Sequence, residues 1–141
     1  MLFTADQFVA HAVGDYILQS DWMADNKTKS HFAAAVHAVT YTLPFLLITQ
    51  SVGALAIICG THFVIDRWRL ARFVVWLKNG PLTMEYIGGP GRESEMGLHW
   101  KPVTATGYSD DKPAFLAVWL LIAADNILHV ICNALAIWWL P

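Results

Sequence analysis

The chain alternates between long apolar stretches and short polar turns, and the stretches have helical rather than strand-like length. Residues 32–48, 52–61, 114–124 and 126–141 contain no Asp, Glu, Lys or Arg. A helix that crosses a bilayer needs ~20 mostly apolar residues, so the pattern predicts about four spanning helices. The first covers 4–23, with Thr4 or Asp6 placed to cap it. The second covers 30–49 and holds Pro44, which kinks it or ends it early. The third, 52–77, exceeds a hydrocarbon core at ~1.5 Å per residue, so its second half leaves the bilayer. The fourth runs 113–140, with Pro113 suited to its first turn. The expected fold class is all-α: a polytopic membrane helix bundle forming one integral membrane domain over residues 1–141.

The connections differ in kind. Gln50 and Ser51 are short enough to join only antiparallel neighbours, whereas 78–112 is long and broken by Pro81, Pro90, Pro102 and six glycines. A long irregular loop in a compact protein is often functional. The Gly88–Gly89–Pro90–Gly91 stretch lacks the lysine of a phosphate-binding loop and reads as a flexible linker.

Charge gives the orientation. With four spans, the turn after the first helix and the 78–112 loop share one side. Lys27, Lys29, Lys78, Arg92, Lys101 and Lys112 lie there, and Arg67, Arg69 and Arg72 approach it as interfacial anchors. Positive residues mark the cytoplasmic side, so both loops are expected in the cytoplasm and both termini outside. Composition agrees with a membrane protein: 56% hydrophobic and 14% charged, against about 25% charged in soluble domains. The net charge of −2 predicts no affinity for nucleic acid. Cys59 and Cys132 lie in apolar runs and read as buried small hydrophobes. No basic residue precedes Lys27, so the start does not read as a cleavable signal peptide.

Against this apolar background the ionisable residues are conspicuous. His11 and Asp15, His62 and Asp66, and Asp125 and His129 are each four apart, so each pair shares a helix face. Gln7 and Gln19 extend the first stripe, Asn133 the last, and the second helix adds His37 with Tyr41 one turn on. Antiparallel packing puts the seven His and Asp side chains in one layer. An ionisable group facing lipid costs at least ~2.5 kcal/mol, so these residues must face one another, water or a metal. The first helix is polar for a span, so it either crosses shielded by the others or lies on the membrane.

Imidazole with carboxylate suits Zn²⁺, Mn²⁺ or Fe²⁺. The expected ligands are His11, Asp15, His62, Asp66 and His129, with His37 and Asp125 as further ligands or as acid and base. The set can serve one or two divalent ions. A buried hydrogen-bond network that only joins helices is the competing account. No H-E-x-x-H motif is present, and His31 and His99 stand outside the layer as surface residues.

Several stretches carry a resemblance: His11-x-x-Gly14-Asp15-Tyr16-x-Leu18-Gln19-x-x-Trp22-Met23-Ala24-x-x-Lys27, then His62-Phe63-x-Ile65-Asp66-x-x-Arg69-Leu70-Ala71. Thr106-Gly107-Tyr108 and Asp125-Asn126-x-x-His129-x-x-x-Asn133 follow. Together they resemble the DUF3307 family of small membrane proteins of bacteria and their phages. The resemblance implies membrane location and the polar set, and it names no reaction. More loosely, the pattern is similar to bacterial membrane proteins described as metal-dependent hydrolases.

The function expected from these residues is a metal-dependent hydrolase. It acts on an ester or phosphoester at the cytoplasmic face, with membrane lipid as partner and a lipid phosphate as substrate. The alternatives are a structural membrane protein that binds a partner through its cytoplasmic loop, and an ion or proton pathway. The apolar outer halves of the second and fourth helices disfavour the pathway.

Overall fold

The computed structural model describes residues 2–87 and 95–140, and these are mostly helical with one two-stranded sheet. In chain order come α1 (Ala5–Ala12), a π-helical turn (Val13–Ile17), α2 (Asp21–Asn26) and α3 (His31–Thr42). A 3-10 turn (Leu43–Leu47) follows, then α4 (Val52–Trp68), α5 (Ala71–Lys78), β1 (Leu82–Ile87), β2 (Glu95–Trp100) and α6 (Ala114–Trp139).

Serines open three of these helices. The side chains of Ser20, Ser30 and Ser51 accept from the backbone N–H of Met23, Ala33 and Ala54 at 3.3, 3.4 and 3.4 Å, each satisfying a donor that the first turn leaves unpaired. At Ser20 this breaks the helix expected over 4–23. The π-helical turn ends with Leu18 N–H donating to Val13 C=O at 2.9 Å, and a new helix starts at Asp21. Pro44 lacks an N–H, and α3 duly stops at Thr42 and tightens into the 3-10 turn.

The helix expected over 52–77 is also two helices. Arg69 adopts φ 51° and ψ 51°, and Leu70 N–H closes on Ile65 C=O at 2.9 Å. A left-handed residue ends a helix, and here it is an arginine rather than the usual glycine. Among the described residues, α6 is the one helix long and apolar enough to cross a membrane, at 26 residues and mean hydropathy 2.0. The four-span bundle is therefore not supported. The breaks at Ser20, Pro44 and Arg69 leave α1 with 8 residues, α3 with 12 and α4 with 17.

The 78–112 segment is not wholly irregular. Strands β1 and β2 pair antiparallel, from Leu82 opposite Trp100 to Ile87 opposite Glu95. Leu82 and Met84 alternate with polar residues along β1, as Met96, Leu98 and Trp100 do along β2, and this is the period-two pattern of a strand. The Gly88–Gly91 linker and Arg92 lie outside the described residues.

The chain divides into two compact units, Met1–Leu70 with Asp125–Pro141, and Ala71–Ala124. In the first, Ala10, Tyr41, Phe45, Ile58 and Ala136 form the apolar core. Gly14 lets the π-helical turn approach α3: a Cβ there would lie 2.6 Å from Tyr41 Cδ2 and 3.0 Å from Tyr41 O. In the second unit, Ala71 and Val75 of α5 pack with Tyr108, Ala117 and Leu121. Gly107, at φ +77°, lies against α5 so closely that a Cβ would fall 2.2 Å from Arg72 O.

Candidate metal centre

The first unit buries an unusual number of polar groups. Gln7, His11, Asp15, His37, His62, Asp66, His129 and Asn133 are all buried, while Phe8, Ile17, Phe32, Leu47 and Val52 are 52–93% exposed. Soluble domains bury ionisable groups rarely, so this interior needs an internal partner for each of them.

Four of the buried residues converge. One donor atom each from Asp15, His37, His62 and Asp66 lies within 4.8 Å of the others. Asp15 comes from the π-helical turn, His37 from α3, and His62 with Asp66 from one face of α4. The Nε2 atoms of His37 and His62 are 3.0 Å apart, and each is 3.1 Å from Asp66 Oδ2. Asp15 Oδ1 is 3.3 Å from His37 Nε2 and 3.5 Å from His62 Nε2. Two imidazole nitrogens and two carboxylate oxygens thus point at one small volume. Asp15 Oδ1 is buried and accepts no aligned hydrogen bond, whereas Asp66 Oδ2 is met by the Lys27 ammonium at 2.8 Å. Such a donor set, with one anionic oxygen left unsatisfied, fits a divalent transition metal.

A second group shares Asp66. His129 Nε2 lies 3.3 Å from Asp66 Oδ1 and 3.5 Å from Asp125 Oδ2, and these three residues also meet the spacing of a metal site. Asp66 therefore turns one oxygen to each group. Asp125 is the least buried member, with its side chain 30% exposed.

His11 belongs to neither group. Its Nδ1 lies 2.9 Å from Tyr41 Oη, its Nε2 lies 2.9 Å from Asn126 Oδ1, and Asp15 Oδ2 is 3.4 Å from Nδ1. With both ring nitrogens engaged, it orients Tyr41 and Asp15. Tyr41 in turn accepts from Asn133 Nδ2 at 2.6 Å, and its ring stacks on His62 with centroids 3.5 Å apart. This network fixes the His62 ring from one side. The Nδ1 atoms of His37 and His62 find no hydrogen-bond partner among the described residues, so neither ring has the outer carboxylate that commonly supports a metal-bound histidine.

Of the seven His and Asp residues expected together, His37, Asp15, His62 and Asp66 form the tight cluster. Asp125 and His129 flank it through Asp66, and His11 supports it. Lys27 was missed. It reads in the sequence as one of the loop cations, yet its Nζ reaches 2.8 Å from Asp66 Oδ2 and 3.4 Å from His37 Nε2. Its signal was its place at the end of the stretch that begins at His11.

The chain matches the model of a protein family of unknown function, DUF3307, over residues 2–140, and it belongs to that family. Comparisons with curated proteins and with solved structures gave no match.

Proposed function

We propose that the protein is a membrane-embedded, metal-dependent hydrolase that cleaves an ester or phosphoester, carried on a lipid, at the cytoplasmic face of a bacterial membrane. The convergence of Asp15, His37, His62 and Asp66 on one buried volume carries this reading. These four would hold the first divalent ion, Zn²⁺, Mn²⁺ or Fe²⁺, and Asp66 with Asp125 and His129 would hold a second. A bound ion there supplies Lewis acidity and makes a coordinated water a stronger acid. The chain's own residues do the rest. With a single ion bound, Asp125, open to water on one side, would be the acid–base group at the edge of the site, and His129 beside it holds that carboxylate in place. The His11–Tyr41–Asn133 network keeps the His62 ring oriented.

Membrane embedding is supported by the first unit, which buries Asp15, His37, His62 and Asp66 while leaving large apolar side chains such as Ile17, Phe32, Leu47 and Val52 exposed, and by α6 as a candidate span. A lipid substrate follows from that setting.

One observation favours a second reading, in which the cluster only holds the helices of a structural membrane protein together. The Lys27 ammonium already balances part of the carboxylate charge. Detergent-purified protein offered ester and phosphoester lipids in mixed micelles separates the two. Turnover that disappears with chelation and returns with Zn²⁺ or Mn²⁺ supports the hydrolase. Absence of turnover across the panel, with or without added metal, leaves the structural reading in possession.

A further inference from the structure

The second unit contains a pocket with a chemistry of its own. Its cavity is about 410 Å³, within the ~300–1,000 Å³ of small-ligand sites. Lys101, Lys112, Asn79, Thr104 and Ser109 contribute to its lining, with the Trp76 indole. Lys112 also carries its ammonium 5.8 Å from the centre of the Tyr108 ring, and Lys78 places its own 5.2 Å from the same ring. Two ammonium groups thus flank one aromatic side chain, and Lys101 adds a third lysine to the lining. Asp110 is a carboxylate on the lining, and neighbouring Asp111 accepts from the Ser109 hydroxyl.

The walls are held by the fold. Trp76 Nε1 donates to Lys101 C=O at 2.9 Å, Thr104 Oγ1 donates to Tyr108 C=O at 2.6 Å, and Asn79 Nδ2 donates to Gly107 C=O at 3.4 Å. The close approach of Gly107 to Arg72 O presses the loop onto α5. Among the described residues, Lys78, Lys101 and Lys112 make no salt bridge, whereas Lys27 does. No described carboxylate therefore competes at ion-pair distance with a ligand for these three ammonium groups.

We propose that this pocket binds a phosphate ester, with Lys101 and Lys112 as the anion-binding residues and Trp76 as an apolar wall for the group that the phosphate carries. Lysines bind phosphate as point charges with rotatable donors. The phosphate belongs either to a lipid headgroup or to a soluble phosphomonoester. The exposed apolar side chains of Leu82, Met84, Leu98 and Trp100 in the same unit, 45–67% exposed, suit the lipid. This inference stands on the second unit alone and does not rest on the metal reading.

The test uses the full chain in detergent with EDTA present throughout, so that metal plays no part. Native mass spectrometry compares retention of phosphatidylglycerol with that of phosphatidylcholine, and calorimetry measures binding of glycerol phosphate in the absence of lipid. Wild type is expected to retain the anionic lipid about tenfold over the zwitterionic one. K101Q/K112Q should abolish that preference, K101R/K112R should keep it, and K29Q should leave it unchanged. Glycerol phosphate binding without lipid preference supports the same site with a soluble ligand. If the glutamine variant does not fold, wild type decides the matter: raising salt from low to high must weaken retention of the anionic lipid. The proposal is overturned by absence of both binding events, by loss of anion binding in the arginine variant as in the glutamine one, or by salt-independent retention.

Discussion

Lys27 reaches out of the turn after α2 and sets its ammonium 2.8 Å from Asp66 Oδ2, the oxygen that also faces His37 and His62. The ion pair is nearly buried on the aspartate side and 19% exposed on the lysine side. A cation at this spot does two things at once. It offsets the charge of the Asp66 carboxylate, and it competes with a metal for the same oxygen.

Lys27→Met separates those effects. Removing one partner of a buried pair leaves the other uncompensated, at a cost of about 3–5 kcal/mol for full burial; the exposure of Lys27 puts the expected loss at the lower end, ~3 kcal/mol. Metal-free Lys27→Met should therefore melt well below wild type in detergent. Under the metal reading, the variant should bind Zn²⁺ more tightly than wild type and recover most of the lost melting temperature. A variant that is as stable as wild type without metal, and gains nothing from it, would show that Lys27 does not guard a cation site.

Gly14→Ala probes the approach of the π-helical turn to α3. The added methyl meets Tyr41 Cδ2 at 2.6 Å and backbone Tyr41 O at 3.0 Å, and the Tyr41 ring is fully buried and stacked on His62. Overpacking of this kind costs about 1–3 kcal/mol. Because Asp15 follows Gly14 directly, the displacement also carries its carboxylate away from His37. Gly14→Ala should lower both thermal stability and metal content, read by calorimetry and elemental analysis on the same preparation. Unchanged values in both would mean that the turn does not pack on Tyr41 in this way.

The candidate site was more legible than the fold. His62 and Asp66, four apart on an unbroken stretch of α4, keep the shared face that their spacing implies. Asp125 and His129 do the same on α6. His11 and Asp15 also keep their shared face, 3.4 Å apart although Asp15 sits in the π-helical turn, but His11 is engaged by Tyr41 and Asn126 as well and so stands outside the cluster. Helix ends were harder to read. Pro44 announces its break, but Arg69 is left-handed without a glycine or proline to mark it, and Ser20 is a cap hidden inside a run of helix formers. The hairpin was present as alternation at 82–86 and 96–100, outweighed in the reading by the glycines and prolines around it. Lys27 could not be placed by spacing at all, since its partner Asp66 is 39 residues away and they meet only through packing.

Gly107→Ala tests the second unit. The methyl would lie 2.2 Å from Arg72 O and 2.9 Å from Trp76 N, and φ +77° is itself strained for alanine, by about 1 kcal/mol or more. Neither contact is a flexible side chain, so the loop must lift from α5. Hydrogen exchange should accelerate in the segments covering 71–78 and 104–108. Exchange at the wild-type rate in both segments would contradict the packing of Gly107 on α5.

The metal reading and the hydrogen-bond reading part company at Asp66. Histidine and carboxylate must be deprotonated to bind a metal, so occupancy should fall as acid approaches and passes the ordinary imidazole pKa of ~6.5. A network of hydrogen bonds holds no ion, and a chelator at neutral pH should leave it untouched. Purified wild type is expected to contain about one or two equivalents of transition metal, to melt lower after chelation, and to recover with Zn²⁺ or Mn²⁺. Asp66→Asn preserves the size of the side chain and one acceptor oxygen while removing the anion that both groups share. If metal binds, the variant should lose most of its occupancy, because Asp66 faces His37 and His62 with one oxygen and His129 with the other. If the cluster is only glue, replacing a buried charge by a neutral amide costs little beyond the loss of the Lys27 pair, and Lys27→Met in the same chain should then restore what was lost. Metal-free wild type, together with a double variant as stable as wild type, would remove the metallohydrolase proposal and leave the polar layer as structural.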